Sequence, residues 1–387
     1  MRSDHHRRTI YLDHHATTPL DPRVLAAMMP MLTTEFGNPS SGHTLGRRAG
    51  QALRAARGTV RAALAADHES EIVFTSGATE ANTLAIVGAV PEVPRPDTDQ
   101  VVTTAVEHHS VRSACDRLAA RGYTLTVVGV DRFGLIDPED IAAAVNDRTA
   151  LVSVMYANNE IGTVQPIPAI AAAVARHHAV LHVDAVQAAT TLPIDVHTLG
   201  ADLLSVSGHK IYGPKGVGVL YVRRGIALRP EYAGAQEFGL RAGTHNMAGI
   251  AGMAEALRIA GTECADTAAR CGVLRDRLQE ALFTSIRDAR VNGHPHSRLR
   301  GNLSLTIPGL DAVDLIRALP EVAISAGSAC ATGSAEPSPV LMAIGLSRAE
   351  ARATIRIGVG RGTTEDDIDI AAERVITAVD RCRRRPQ

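Results

Sequence analysis

Tryptophan is missing from the chain, and with only six tyrosines the protein should absorb weakly enough for any bound chromophore to stand out. An excess of either charge is missing too. Forty Lys plus Arg face 41 Asp plus Glu, a formal balance of -1, which removes the general electrostatic reason to bind nucleic acid or an anionic membrane. Partners must therefore be recognised by local sites. No stretch is long and apolar enough to span a bilayer, and Met1 to Arg8 are polar, without the apolar core of a secretion signal, so a cytoplasmic protein is expected. Cysteine is sparse. Cys115, Cys264, Cys271, Cys330 and Cys382 are odd in number and lack C-x-x-C spacing, which argues against a disulfide framework and a zinc site and leaves at least one thiol free. Internal repeats, low-complexity runs and Ser/Gly linkers are also absent.

What is present is a globular composition, 45% hydrophobic and 21% charged over 387 residues, enough for two domains. Short apolar runs alternate with helical stretches from about Ser70 to Tyr221: Ile72 to Thr75, Val101 to Thr104, Leu125 to Val128, Leu151 to Val154, Val180 to Val183, Leu203 to Val206 and Val217 to Val222. This is the pattern of a mostly parallel sheet in an α/β core. Ala78 to Val90, Val111 to Arg121 and Pro168 to His178 carry apolar residues at helical spacing and would cover its faces. After Asn246 a long helical run reaches about Ser285. Strands over Asn302 to Ile307 and Thr354 to Val359, with a helix over Ala312 to Leu319, then predict a smaller α+β unit. Ligands of open α/β sheets bind beyond the carboxyl ends of the strands, so the residues that follow these runs are the candidates.

Three such segments carry chemistry. Ser76-Gly77-Ala78-Thr79-Glu80 leads from a strand into a helix and aims unpaired N–H groups at one point, where a phosphate would sit; an ordinary capped helix start would look the same. Asp184 follows a strand, where its carboxylate could hold a cationic ring nitrogen or simply cap a helix. Lys210 lies in the Gly-bounded turn Ser207 to Gly216, where desolvation would favour the neutral amine that forms a Schiff base, although most lysines are solvated surface charges. A phosphate cradle, an acid and an amine in this order are what pyridoxal 5'-phosphate requires. Cys330 differs from the other cysteines in its small, polar, Gly-rich surroundings, Ser325 to Ser334, which read as an exposed mobile loop.

Nearly the whole chain, from Tyr11-Leu12-Asp13 to Arg361-Gly362-Thr363-Thr364, resembles cysteine desulfurases of the NifS/IscS type. The resemblance rests on Ala16 to Pro19, Gly37-Asn38-Pro39-Ser40, Thr75 to Glu80, Glu107-His108, Asn158 to Gly162, His182 to Gln187, Ser207 to Gly216 and Gly327 to Cys330. It implies the aspartate aminotransferase-like fold (fold type I), with a large cofactor domain over 16–260 and a small domain from 1–15 and 261–387. It also implies pyridoxal phosphate carried by Lys210, His108 stacked on the ring, Asp184 at its nitrogen, and Gln187 and Asn159 near its hydroxyl. Ala78, Thr79, Ser207 and His209 would hold the phosphate, with Thr244 reaching it from the other subunit of a homodimer. Arg356, with Asn38 and Asn159, would bind L-cysteine; a guanidinium fork suits its carboxylate. Lys210 would move the alpha proton, His108 would shuttle protons, and Cys330 would take the sulfur, leaving alanine, before passing it to an acceptor protein for iron-sulfur assembly, tRNA thiolation or DNA phosphorothioation.

The sequence departs from the family at His14-His15, where small polar residues are usual and a histidine pair invites a metal reading; no acid or thiol accompanies it at ligand spacing. It departs again at Ala235 to Leu240, where an arginine is usual near Phe238. The chain ends at Gln387 without the tail that some relatives use to dock an iron-sulfur scaffold, which speaks against that docking mode. Two other readings stand beside the desulfurase: another class V enzyme, such as a selenocysteine lyase or aminotransferase, with Cys330 dispensable, and a non-catalytic sulfur-relay platform, which Lys210, Asp184 and Cys330 disfavour.

Overall fold

The computed structural model describes residues 9–327 and 336–384; Cys330 and its neighbours lie outside the described residues. The strands of the first part of the chain are β1 (Ile10–Tyr11), β2 (Ile72–Thr75), β3 (Gln100–Thr104), β4 (Thr124–Val128), β5 (Thr149–Met155), β6 (Val180–Asp184), β7 (Leu203–Ser207) and β8 (Gly218–Val222). All but β1 join one sheet in the order β2-β8-β7-β6-β5-β3-β4. Strands β4, β3, β5, β6 and β7 are parallel. The strand β8 runs antiparallel to both β7 and β2, so β2 is reversed twice and points the same way as β7. Helices cover both faces, which is why β2, β5, β7 and β8 are buried along their whole length and read as continuous apolar runs.

Helix Met247–Ser285, capped by the Asn246 side chain on Gly249 N, runs from this core into a second one. Its first part, from Ile250 to Ala260, packs with the sheet, whereas Cys271, Leu274, Leu278 and Leu282 pack with Ile10, Leu12 and the later strands. Those strands are β9 (Arg290–Asn292), β10 (Asn302–Thr306), β11 (Val322–Ala323), β12 (Ser325–Ala326) and β13 (Thr354–Gly358). An antiparallel sheet, β12-β13-β10-β9, forms the smaller unit, and β1 pairs with β11 beside it. The last helix, Glu365–Arg384, places three acids in its first turn and three arginines in its last, in line with its dipole. The α/β class and mostly parallel sheet expected from the sequence are present; β9 and the two-residue strands lack enough length to show a period. No described helix is long and apolar enough to cross a membrane.

Candidate active site

Because β2, β3, β5, β6 and β7 all point one way, the segments that follow them emerge along a single sheet edge. They line one pocket of about 490 Å³, whose wall includes Ser76 to Glu80, His108, Asn159, Asp184, Gln187, Ser207, His209 and Lys210. Each segment has a local reason for its shape. Gly77 has φ 155° and ψ 178°, a region open only to glycine, and no side chain caps the following helix, Ala78–Ala89, so its first N–H groups face the pocket. His108 caps the next helix, its Nδ1 accepting from Ser110 N at 3.1 Å. Asn158 ties the Asn158 to Gly162 turn by accepting from the backbone N–H groups of Glu160 and Ile161. The turn with Lys210 closes tightly at Gly208, where a Cβ would meet Pro214 O at 2.8 Å.

The pocket separates charge. Thr79, Ser207, His209 and Lys215 offer donors to the pocket, and burial, with Lys210 and Lys215 nearby, lowers His209 to about 4, which favours its neutral form. Asp184 is buried; its Oδ1 accepts from Val186 N at 3.0 Å and its Oδ2 from Asn82 Nδ2 at 2.8 Å. The side-chain nitrogen of Lys210 donates to His15 O at 2.6 Å and Ala16 O at 2.8 Å. His108 is pushed down by burial, against the opposing pull of Asp184. An uncapped helix start, a buried carboxylate and a lysine amine in one cavity suit a planar group with a phosphate at one end, a basic ring nitrogen and a carbonyl-derived link to an amine. Pyridoxal phosphate fits this donor set.

Other expected residues stand outside the pocket wall. Arg356 is only 1% exposed and lies behind Asn159, with Nη1 donating to Asn159 O at 3.2 Å and Nη2 paired with Asp13 Oδ1 at 2.8 Å; its Nε has no hydrogen-bond partner among the described residues. Asn38 and Thr244 are exposed and do not line this chain's pocket. The other four cysteines are unpaired; Cys115 and Cys271 are buried, and burial pushes the Cys115 thiol up to about 12. His14 lies against Tyr212 and His15 against Gln187, and no cluster of three metal-ligating side chains occurs among the described residues. Phe238, at φ 59°, lays its ring 4.9 Å from the Arg57 guanidinium, which is itself locked on buried Glu237. Sequence reasoning missed Asn82, Asp13 and the hydrogen-bonding role of His15. A buried polar residue on an apolar helix face was the available signal for Asn82; the other two meet their partners only through the fold.

A model of the class V aminotransferases matches residues 10–370. The chain belongs to this family. A cysteine desulfurase of Trichormus azollae is 44% identical over 377 residues, covering 97% of this chain and 94% of that protein. Among solved structures, a NifS-like protein superposes with a TM-score of 0.90 at 33% identity, over 96% of this chain and 99% of that one. A structure described as SspA in complex with cysteine matches with a TM-score of 0.78 at 36% identity, over 90% of this chain and 98% of that one. Class V aminotransferases are pyridoxal-phosphate enzymes of fold type I, and the mostly parallel sheet with its smaller α+β unit agrees with that membership.

Proposed function

We propose that this protein is a pyridoxal-phosphate-dependent cysteine desulfurase that converts L-cysteine to L-alanine and stores the sulfur on Cys330 as a persulfide. The observation that carries the reading is the convergence of Lys210, Asp184, His108 and an uncapped helix start in one pocket of a class V chain. When bound, the cofactor supplies an electron sink that acidifies the alpha carbon and weakens the carbon-sulfur bond.

The chain's own residues do the rest. Lys210 would carry the cofactor and move the alpha proton, His108 would pack on the ring and shuttle protons, and Asp184 would hold the ring nitrogen, with Asn159 and Gln187 near the ring hydroxyl. Ala78, Thr79, Ser207 and His209 hold the phosphate. Arg356, which lies behind Asn159, would bind the substrate carboxylate with Asn38 and Asn159. The Cys330 sulfur attacks the substrate sulfur; one S–S bond forms, the Cβ–S bond breaks, and Cβ gains a proton as alanine leaves. An acceptor protein then takes the sulfur.

The exposed position of Thr244, away from its own pocket, supports its service to the pocket of a second subunit in a homodimer. The two largest apolar clusters, one almost wholly between Val24 and Ala260 and the other built from Ile10, Leu12 and residues from Cys271 to Val379, support a division into domains at 16–260 and at 1–15 with 261–387. Alanine release from cysteine tests the reading. Wild type should turn over, Lys210→Ala should lose both turnover and the cofactor's absorption band, and Cys330→Ala should lose turnover but keep the band. Undiminished alanine release by Cys330→Ala would point to a lyase or aminotransferase instead.

A further inference from the structure

His15 is buried beneath the pocket, its ring packed on Gly358, where a Cβ would come within 2.8 Å of Cδ2. Two kinds of contact leave this one residue. Its carbonyl oxygen accepts from Lys210 Nζ at 2.6 Å and from Gln187 Nε2 at 2.9 Å, and its ring Nδ1 lies 3.2 Å from Gln187 Oε1. A carbonyl oxygen cannot donate, so the amide nitrogen of Gln187 must face it; the flipped amide would set two acceptors 2.9 Å apart. The amide oxygen then faces Nδ1, and that contact is favourable only when Nδ1 carries a hydrogen.

The charged groups around the ring agree with a neutral imidazole. Burial, then Arg356, with Lys210 and His14 adding to them against the Gln187 hydrogen bond, lower His15 to about 3. A neutral ring holds one hydrogen, and the geometry puts it on Nδ1. Nε2 is left as an acceptor. It has no protein partner among the described residues, and the ring borders a cavity of about 20 Å³ with Thr190 and Thr267, room for one bridging water.

We propose that His15 is a positioning residue: its Nδ1–H locks the Gln187 amide so that the second Nε2 hydrogen serves as a donor to the ring oxygen of pyridoxal phosphate, while its carbonyl holds Lys210. The proposal rests on the cofactor reading above and deepens it. A donor stabilises that oxygen as an anion; without Nδ1–H the amide is held by the residue-15 carbonyl alone, and its second hydrogen is aimed less firmly. Losing the lock should therefore raise the pH at which the bound cofactor changes its absorption.

The test uses the reconstituted holoenzyme. His15→Phe keeps a ring on Gly358 and removes Nδ1–H; the midpoint of the absorption change should move up by about one unit, the size of one hydrogen bond to a charged group. Gln187→Met should move it at least as far, and the double variant no further than Gln187→Met. An unmoved midpoint in His15→Phe overturns the proposal. Neutron diffraction of the wild-type protein decides it even if the variant does not fold: deuterium on Nδ1 is expected, and deuterium on Nε2 with Nδ1 bare refutes the lock. A wild-type protein that shows no cofactor band at all would instead sink the cofactor reading, and the neutron map would still report the tautomer.

Discussion

Asn82, wholly buried on helix Ala78–Ala89, donates from Nδ2 to Asp184 Oδ2 at 2.8 Å and to Ser110 Oγ at 3.0 Å. The helix whose uncapped first turn faces the pocket thus also holds Asp184, and one element positions two parts of the site. Replacing Asn82 by Leu leaves the buried carboxylate with one fewer donor, a loss of about 1.5–3 kcal/mol. Pyridoxal phosphate should bind roughly 10- to 100-fold more weakly, as read by absorbance titration of the apoprotein, with the fold retained by circular dichroism.

Glu237 should contribute to the acid sensitivity of the fold. Burial pushes its carboxyl up, but hydrogen bonds from His245 and Arg57, the Arg57 charge and Phe74 N outweigh that and bring it to about 2. A depressed carboxyl contributes stability above its unfolded value of 4.5, and that contribution is lost as pH falls toward 2. Urea denaturation of Glu237→Gln should show a flatter acid limb, smaller by about 3 kcal/mol across that window. Arg57→Met should be worse than Glu237→Gln at neutral pH, by about 3–5 kcal/mol relative to wild type, because it strands a buried charge.

Two other buried acids act with the opposite sign. Burial raises Glu107 to about 8 and Glu160 to about 7; Glu107 accepts from Thr104 Oγ1 at 2.6 Å and Glu160 from Ser338 Oγ at 2.5 Å. Their stabilisation is complete below the unfolded value of 4.5 and is lost as pH rises through 7 and 8. Stability should therefore decline from mildly acidic to mildly alkaline buffer, and Glu160→Gln, which still accepts from Ser338, should remove part of the decline. An equally steep decline in that variant would show that Glu160 is not a source.

Gly77 makes a further point of leverage. Any Cβ at φ 155° and ψ 178° is strained by about 1–3 kcal/mol, although none of its neighbours would be struck. Gly77→Ala should lower both Tm and cofactor affinity, whereas Gly225→Ala, also at positive φ but remote from the pocket, should lower Tm alone.

The strands that line the site were legible because they are buried on both faces and the turns after them are rich in glycine and small polar residues. Lys210, Asp184, Thr79 and His209 follow such strands, so position along the chain was enough to single them out. The reversal of β8 was not legible, since a buried antiparallel strand carries the same apolar run as its parallel neighbours. Nor were the partners of His15 and Arg356. Gln187 is 172 residues from His15, and Asp13 is 343 from Arg356, distances at which no local pattern survives. The His14-His15 pair drew attention as a metal ligand, whereas His15 forms hydrogen bonds inside the protein, its side chain held at Gln187.

The most direct test is to supply cysteine without an acceptor and weigh the peptide that contains Cys330 after one turnover. The account predicts one added sulfur atom on that peptide, removable by a reductant, and one alanine released for each sulfur gained. Alanine released while the Cys330 peptide keeps its original mass, or sulfur found on Cys115, Cys264, Cys271 or Cys382 instead, would contradict it.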